Sequence, residues 1–158
     1  MKATYQKNMM KRMLMPLCAV VAMMCGGCSM LEHPNNKELD GYWHLVGVDT
    51  LATNGKKDLA DDLLFWSIQA RLMTVTDRSV IDSRDNYVMH MTITDFKTIH
   101  IYDIRQHDKN GGDPEITDVS LLAPFGINQL EETFTVESVS GSKMILKDEI
   151  LRLYFKRM

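Results

Sequence analysis

Residues 87–105 read YVMHMTITDFKTIHIYDIR, and apolar and polar residues alternate twice within this stretch. Met89, Met91 and Ile93 alternate with polar residues in the first half, and Ile99 and Ile101 do so in the second half. Successive side chains of a strand point to opposite faces of the sheet. Each half therefore predicts a β-strand with one apolar and one polar face.

The residues between these two strands predict the hairpin that joins them. A tight loop over 95–97 would pair Thr92 with His100 and His90 with Tyr102 across an antiparallel ladder. One face packed on a core and one face in water is typical of antiparallel sheets. The stretch therefore indicates an antiparallel protein and not a parallel α/β fold.

Similar short runs recur along the chain between turn residues. The candidate strands are 42–49, 64–75, 87–94, 98–105, 132–139, 143–147 and 150–156. One short helix is predicted over 118–126, where an Asp can cap and Gly126 can end it, and 58–64 could add a helical turn. This pattern predicts an all-β protein. Because open sheet edges invite aggregation, we expect an up-and-down antiparallel barrel of about eight strands.

The N-terminus has the composition of an export signal. Residues 1–12 contain four basic and no acidic residues, and residues 13–24 contain no charge. This apolar run is too short to span a bilayer, which takes about 20 helical residues. It therefore predicts a secretory signal peptide.

The end of this signal, Gly26-Gly27-Cys28, resembles the lipobox of bacterial lipoproteins, although Cys25 stands where that family usually has Leu. The resemblance implies that Cys28 is lipidated and becomes the mature N-terminus, on the envelope of a Gram-negative bacterium. Ser29 is compatible with sorting to the outer membrane. A redox CxxC is disfavoured because the pair lies in an export signal. The predicted parts are a signal peptide (1–27), a lipidated tether (28–39) and a barrel domain (40–158).

The mature chain is predicted to be acidic and free of disulfides. Removing residues 1–27 leaves 131 residues with 14 basic and 21 acidic side chains, and Cys28 as its one cysteine. Clusters of Lys and Arg on one face, the electrostatic footprint of nucleic-acid binding, are not evident. We therefore expect no nucleic-acid partner.

The stretch LDGYWHL at 39–45 resembles the first-strand Gly-x-Trp motif of lipocalins, and more closely that of lipocalin-like domains on small bacterial lipoproteins. The C-terminal KMILKDEILRLYFKRM is similar to the last strands of that family, so the resemblance covers nearly all of 39–158. It implies that Trp43 packs at the closed end of the barrel under a basic side chain, for which Arg152 is the candidate. The alternative is that Trp43 is an ordinary core aromatic.

The barrel interior is the predicted functional region. A small barrel either fills itself with side chains or holds one small ligand, and both alternatives remain open here. One hypothesis is a lipoprotein that binds a small apolar ligand; the other is an envelope accessory or interaction protein with a solid barrel. The candidate lining residues are large and soft: Trp66, Met73, Met89, Met91, Phe134 and Met144.

Catalysis, cofactors and metals are not expected. His90 and His100 share a polar face, but the sequence spacing places no third metal ligand on that face. The acidic loop 106–118 lacks the ligand order of an EF-hand, and the chain has no G-x-S-x-G or H-E-x-x-H motif. We therefore predict a non-enzymatic protein that meets the membrane through its lipid; its protein partners are not specified by the sequence.

Overall fold

The computed structural model describes residues 36–79, 86–108 and 111–158, so the predictions for the signal peptide, Cys28 and most of the tether lie outside the described residues. The described part falls within one compact unit, Pro34–Met158. Its strands are β1 (Gly41–Thr50), β2 (Gly55–Asp58), β3 (Leu64–Gln69), β4 (Leu72–Asp77), β5 (Asn86–Thr94), β6 (Thr98–Gln106), β7 (Glu132–Ser140), β8 (Lys143–Lys147) and β9 (Leu151–Arg157).

These strands form one antiparallel sheet that closes on itself. Each strand from β3 to β9 pairs with the next, β1 pairs with β3, and β1 also pairs with β9 along most of its length. Eight strands therefore make a closed up-and-down barrel, and β2 is an extra strand added to β1. The all-β barrel expected from the sequence is confirmed.

The β5–β6 hairpin has the predicted register. Thr92 lies opposite His100 and His90 opposite Tyr102. The alternation breaks once, at Asp103, which has a positive φ of 50° and lies at a register shift between β5 and β6. An extra residue at a β-bulge changes the phase of the strand. For this reason Tyr102 and Asp103 are both only partly buried, whereas Ile101 and Ile104 are buried.

The prediction of a single strand over 64–75 was wrong. This stretch forms the β3–β4 hairpin. The turn lies at Ala70 and Arg71, which give no Gly, Pro or Asn signal, and Ala70 has a positive φ of 56°. Contacts from the preceding segment hold this turn. The Asn36 side-chain amide donates to the Ala70 carbonyl at 2.7 Å, and the Asp40 carboxylate accepts from the Ala70 N–H at 3.2 Å.

Two other elements differ from expectation. The exposed strand β2 was not predicted because all four of its residues face solvent and carry no apolar alternation. The predicted helix at 118–126 is a pair of short 3₁₀ turns, Val119–Leu121 and Ala123–Phe125. Its predicted ends are present: the Asp118 side chain accepts from the Ser120 N–H, and Gly126 has a left-handed φ of 79°.

The up-and-down order gives the barrel two different ends. One end, called here the closed end, carries the 3₁₀ turn Lys37–Leu39, the short turns 70–71, 95–97 and 141–142, and the end of β9. The other end, called the mouth end, carries the connections between the remaining strand ends, among them the long β6–β7 connection. Within the described residues, no helix is long and apolar enough to cross a membrane.

Candidate functional site

The six residues predicted to line the interior all lie inside the barrel. Each has a relative exposure of 1% or less, and all belong to one hydrophobic cluster. Met73 and Met89 are directly opposite each other on β4 and β5. The structure therefore brings together side chains that five strands contribute, and their contact with a ligand stays a prediction.

Aromatic rings pack around Trp66 in this interior. Its ring centroid lies 5.5 Å from that of Phe134 in an edge-on arrangement and 4.9 Å from that of Phe155. Such offset and edge-on contacts are the favoured geometries of aromatic pairs. The indole N–H of Trp66 donates to the Phe125 carbonyl at 3.2 Å, so the one polar atom of this side chain is satisfied.

Phe125 belongs to a stretch that covers the barrel at the mouth end, residues 116–127, called here the mouth segment. It lies between β6 and β7 and inserts four buried apolar residues: Ile116, Leu122, Phe125 and Ile127. The backbone comes very close to β9, since a Cβ placed on Gly126 would lie 2.6 Å from Leu153 Cδ2. The interior thus contains side chains from an irregular segment as well as from the strands.

The closed end is sealed by Trp43 and Arg157. The Arg157 guanidinium carbon lies 4.3 Å from the centroid of the Trp43 ring. Its two terminal nitrogens donate to the backbone carbonyls of Asp40 (3.1 Å) and Glu38. The Trp43 indole N–H donates to the Leu39 carbonyl at 2.9 Å. These contacts tie the N-terminal 3₁₀ turn to the first and last strands.

The assignment of Arg152 to this role was wrong, because its position along β9 places it elsewhere. Arg152 pairs with Asp49 in the ladder, whereas Arg157 pairs with Trp43. The Arg152 guanidinium instead makes a two-point contact with the Glu137 carboxylate at 2.7 and 2.9 Å. The interpretation of Trp43 as a closed-end residue under a basic side chain holds, with a different arginine.

A buried carboxyl group, Glu132, lies at the mouth end and was not among the site residues predicted from the sequence. Glu132 is 5% exposed, and its carboxylate accepts from the Asn128 N–H at 2.8 Å. Burial raises the pKa of Glu132 to about 7, and the nearby Asp148 carboxylate contributes in the same direction. This group therefore changes protonation near neutral pH, unlike an ordinary glutamic acid.

Glu132 lines a polar cavity of about 250 Å³ at the barrel rim. The other lining residues come from the end of the β6–β7 connection, the start of β7 and the β8–β9 turn: Gln129, Glu131, Thr133, Asp148, Glu149 and Ile150. The cavity is acidic, and an apolar molecule would gain little there. It is distinct in character from the apolar interior.

The polar side of the β5–β6 hairpin forms a ladder of rings on the outer wall. Tyr102 stacks between His90 and His100, with centroid distances of 5.8 and 5.6 Å. The Asp103 carboxylate contacts His90 Nδ1 at 3.0 Å and Arg105 Nε at 2.8 Å, and the hydrogen bond from Arg105 lowers the pKa of Asp103. Across the described residues, no three His, Cys, Asp or Glu side chains form a group that could hold a metal ion.

Comparison with protein families identifies the barrel. A model of the lipocalin-like domain matches residues 22–158. The chain belongs to the lipocalin-like domain family. A search of curated proteins gave no significant match.

Two solved structures share the fold of this lipocalin-like protein. A lipocalin-like protein from Bacteroides uniformis is 17% identical, with a TM-score of 0.56, and the match covers 77% of this chain and 100% of that one. An uncharacterized protein from Bacteroides eggerthii is 18% identical, with a TM-score of 0.54, and the match covers 75% of this chain and 98% of that one. Both likenesses support the barrel fold.

Proposed function

We propose that this lipocalin-like protein is a lipid-anchored, non-enzymatic binding protein of the Gram-negative cell envelope, and that it takes a small apolar molecule into its barrel. The observation that carries the proposal is the way the apolar interior is covered. Tight turns and the Arg157–Trp43 contact cover one end, whereas the mouth segment covers the other with short 3₁₀ turns.

The mouth segment covers the barrel without being part of its strand ladder, so its displacement would break no strand pairing. Within it, the Ile116 N–H donates to the Ile104 carbonyl of β6, and the Phe125 carbonyl accepts from the Trp66 indole of β3. Leu122, Phe125 and Ile127 add apolar packing against the core. An apolar ligand can replace such packing with contacts of the same kind.

Two adjacent leucines of the mouth segment provide a matched test. Leu122 is fully buried, whereas Leu121 is 45% exposed. We expect Leu122→Ala to bind the neutral fluorescent probe N-phenyl-1-naphthylamine more tightly than the wild type, because the truncated side chain leaves room and weakens the cover. Leu121→Ala should bind the probe as the wild type does. The measurement is a fluorescence titration.

Absence of probe binding by both the wild type and Leu122→Ala would contradict the ligand proposal. It would favour the second candidate, an accessory protein with a solid barrel. The depth to which the mouth segment enters the barrel also supports this candidate. Trp66, which bonds to this segment, lies directly opposite the closed-end residue Trp43 in the β1–β3 ladder. In that case partners would bind the outside of the barrel.

The anchor is proposed from the sequence at 26–28, where Cys28 would carry the lipid. One acyl chain gives marginal attachment, whereas two or more retain a protein on a membrane. We place the protein on the outer membrane because Ser29 follows the cysteine. Intact mass of the membrane fraction should show a lipid adduct that Cys28→Ser lacks. An unmodified mass in detergent-free extracts would contradict the anchor.

A further inference from the structure

The two ends of the barrel carry opposite charge. In the described connections at the mouth end there are nine carboxylates beside the buried Glu132, and one cationic Lys or Arg side chain, Arg78. The nine carboxylates are Asp61, Asp62, Asp108, Asp113, Glu115, Asp118, Glu131, Asp148 and Glu149. An anionic surface would repel this end.

The closed end has the opposite balance. Its exposed basic residues are Lys37, Arg71, Lys97, Lys143 and Lys156, and its exposed acidic residues are Glu38 and Asp95. The basic residues come from the N-terminal 3₁₀ turn, from the β3–β4 and β5–β6 turns, and from β8 and β9. Elements that are distant in sequence thus supply one basic face.

Exposed apolar side chains accompany these charges. Leu72, Phe96 and Met158 are 46%, 41% and 68% exposed, and they are three of the seven exposed large apolar side chains of the described residues, the other four being at the mouth end. Lys37 Nζ lies 3.9 Å from the centroid of the Phe96 ring, which places the charge and the ring at one point of the face. Basic residues interleaved with aromatic and aliphatic ones are typical of surfaces that lie in a membrane interface.

Phe96 occupies a backbone position that does not suit it. The turn is closed by the Lys97 N–H and the Thr94 carbonyl at 3.0 Å, and its central residues Asp95 and Phe96 have φ values of 52° and 55°. Such turns favour Asn and Gly, and a bulky aromatic residue there is uncommon. The fold does not need an exposed phenylalanine at this tip.

The chain also enters the barrel at this end. The first described residues, Asn36–Asp40, cross the closed end before β1 begins at Gly41. Any anchor on the preceding residues therefore joins the barrel beside the basic face and away from the acidic mouth end.

We propose that the closed end is a membrane-docking face that lies on anionic phospholipid headgroups, with Phe96 and its apolar neighbours in the interface and the mouth pointing away from the leaflet. The inference deepens the proposed lipid anchoring. A mature chain without its cysteine, residues 29–158, contains the whole compact barrel unit and separates docking from anchoring.

The charge contribution is tested by vesicle cosedimentation of this 29–158 chain. We expect binding to phosphatidylcholine vesicles that contain about 30% phosphatidylglycerol, weak binding to pure phosphatidylcholine, and loss of binding at high salt. Lys97→Glu with Lys143→Glu should weaken binding about tenfold or more. The matched control is Lys56→Glu with Lys57→Glu on the exposed strand β2, which should bind as the wild type does.

The apolar contribution is tested by Phe96→Gly. Glycine suits the positive φ of this turn, so the thermal midpoint should stay at or above that of the wild type while vesicle binding falls about fivefold. Leu121→Ala, at the mouth end, should leave vesicle binding unchanged.

Equal binding to neutral and anionic vesicles, or equal losses in the closed-end and β2 charge variants, would overturn the docking face. A lipid adduct missing from Cys28 would overturn the anchor and leave these vesicle results unaffected. The two proposals therefore fail separately.

Discussion

The buried environment of Glu132 makes the stability of the protein depend on pH. Its pKa is raised by burial from 4.5 to about 7, so the folded protein keeps this proton where the unfolded chain has lost it. The stabilising contribution is complete at low pH and falls as the pH rises from about 4.5 to about 7. The loss amounts to about 3 kcal/mol.

We therefore expect Glu132→Gln, which cannot ionise, to be more stable than the wild type at pH about 8 and similar to it at pH about 5. Glu131→Gln is the matched control, since Glu131 is exposed, and it should follow the wild-type pH profile. Urea unfolding at several pH values measures the difference. Parallel pH profiles for Glu132→Gln and the wild type would show that the carboxyl ionises normally.

Arg157 and Arg152 both lie on β9, and we expect their replacement by Ala to lower the free energy of unfolding by unequal amounts. Arg157→Ala would uncover the Trp43 ring and remove donors from two backbone carbonyls, at a cost of about 1–3 kcal/mol. Arg152→Ala would break a partly exposed ion pair with Glu137, which costs less than about 1 kcal/mol. Urea unfolding should separate them, and a red shift of tryptophan emission should occur in Arg157→Ala alone. Equal losses would refute the closed-end role of Arg157.

At the level of elements, the mouth segment depends on the close approach of Gly126 to β9. An added Cβ would lie 2.6 Å from Leu153 Cδ2, and the φ of 79° disfavours other residues. We expect Gly126→Ala to lower the free energy of unfolding by about 1–3 kcal/mol. Gly141→Ala, with no atom within 4 Å of its added Cβ, should change it by less than about 0.5 kcal/mol. Chemical denaturation of the two variants tests this, and a neutral Gly126→Ala would mean that the segment is loosely seated.

The elements that the sequence predicted are those with a local pattern. The β5–β6 register followed from alternation because both strands have one buried and one exposed face. The β3–β4 turn was missed because its cause is tertiary: Asn36 and Asp40, about 30 residues earlier in the chain, hold Ala70 in a left-handed conformation. The conformational preferences of the turn residues themselves do not indicate such a long-range contact.

The residues of the barrel interior were also predicted only in part. Period-2 alternation was enough to place Met89 and Met91 in the core. The stretch 118–126 was predicted as a short helix, and its insertion into the mouth was not predicted because it depends on long-range packing against Trp66 and Leu153. Arg152 was assigned wrongly because the motif alone does not give the β1–β9 register, which places Arg157 beside Trp43.

For the whole molecule, closure joins the first and last strands and brings the two ends of the barrel chain together. The Met158 N–H donates to the Tyr42 carbonyl at 3.0 Å. Each strand of the closed ladder therefore has neighbours on both sides, although β7 pairs with β6 only along Thr98–Ile101. The order in which the chain visits these strands should matter less than the closure itself.

A circular permutant tests this property of the barrel. We expect a chain whose residue 158 is linked to residue 36 and which is reopened between Gly141 and Ser142 to keep the wild-type far-UV circular dichroism and tryptophan emission. That turn is exposed, and such sites tolerate new termini. Reopening between Phe125 and Gly126, which are buried, should instead lower the thermal midpoint strongly, because the new charged ends would lie in the core. Equal stability of the two permutants would mean that the mouth segment is not part of the cooperative core, and loss of the fold in the first would show that strand order, and not closure alone, determines the barrel.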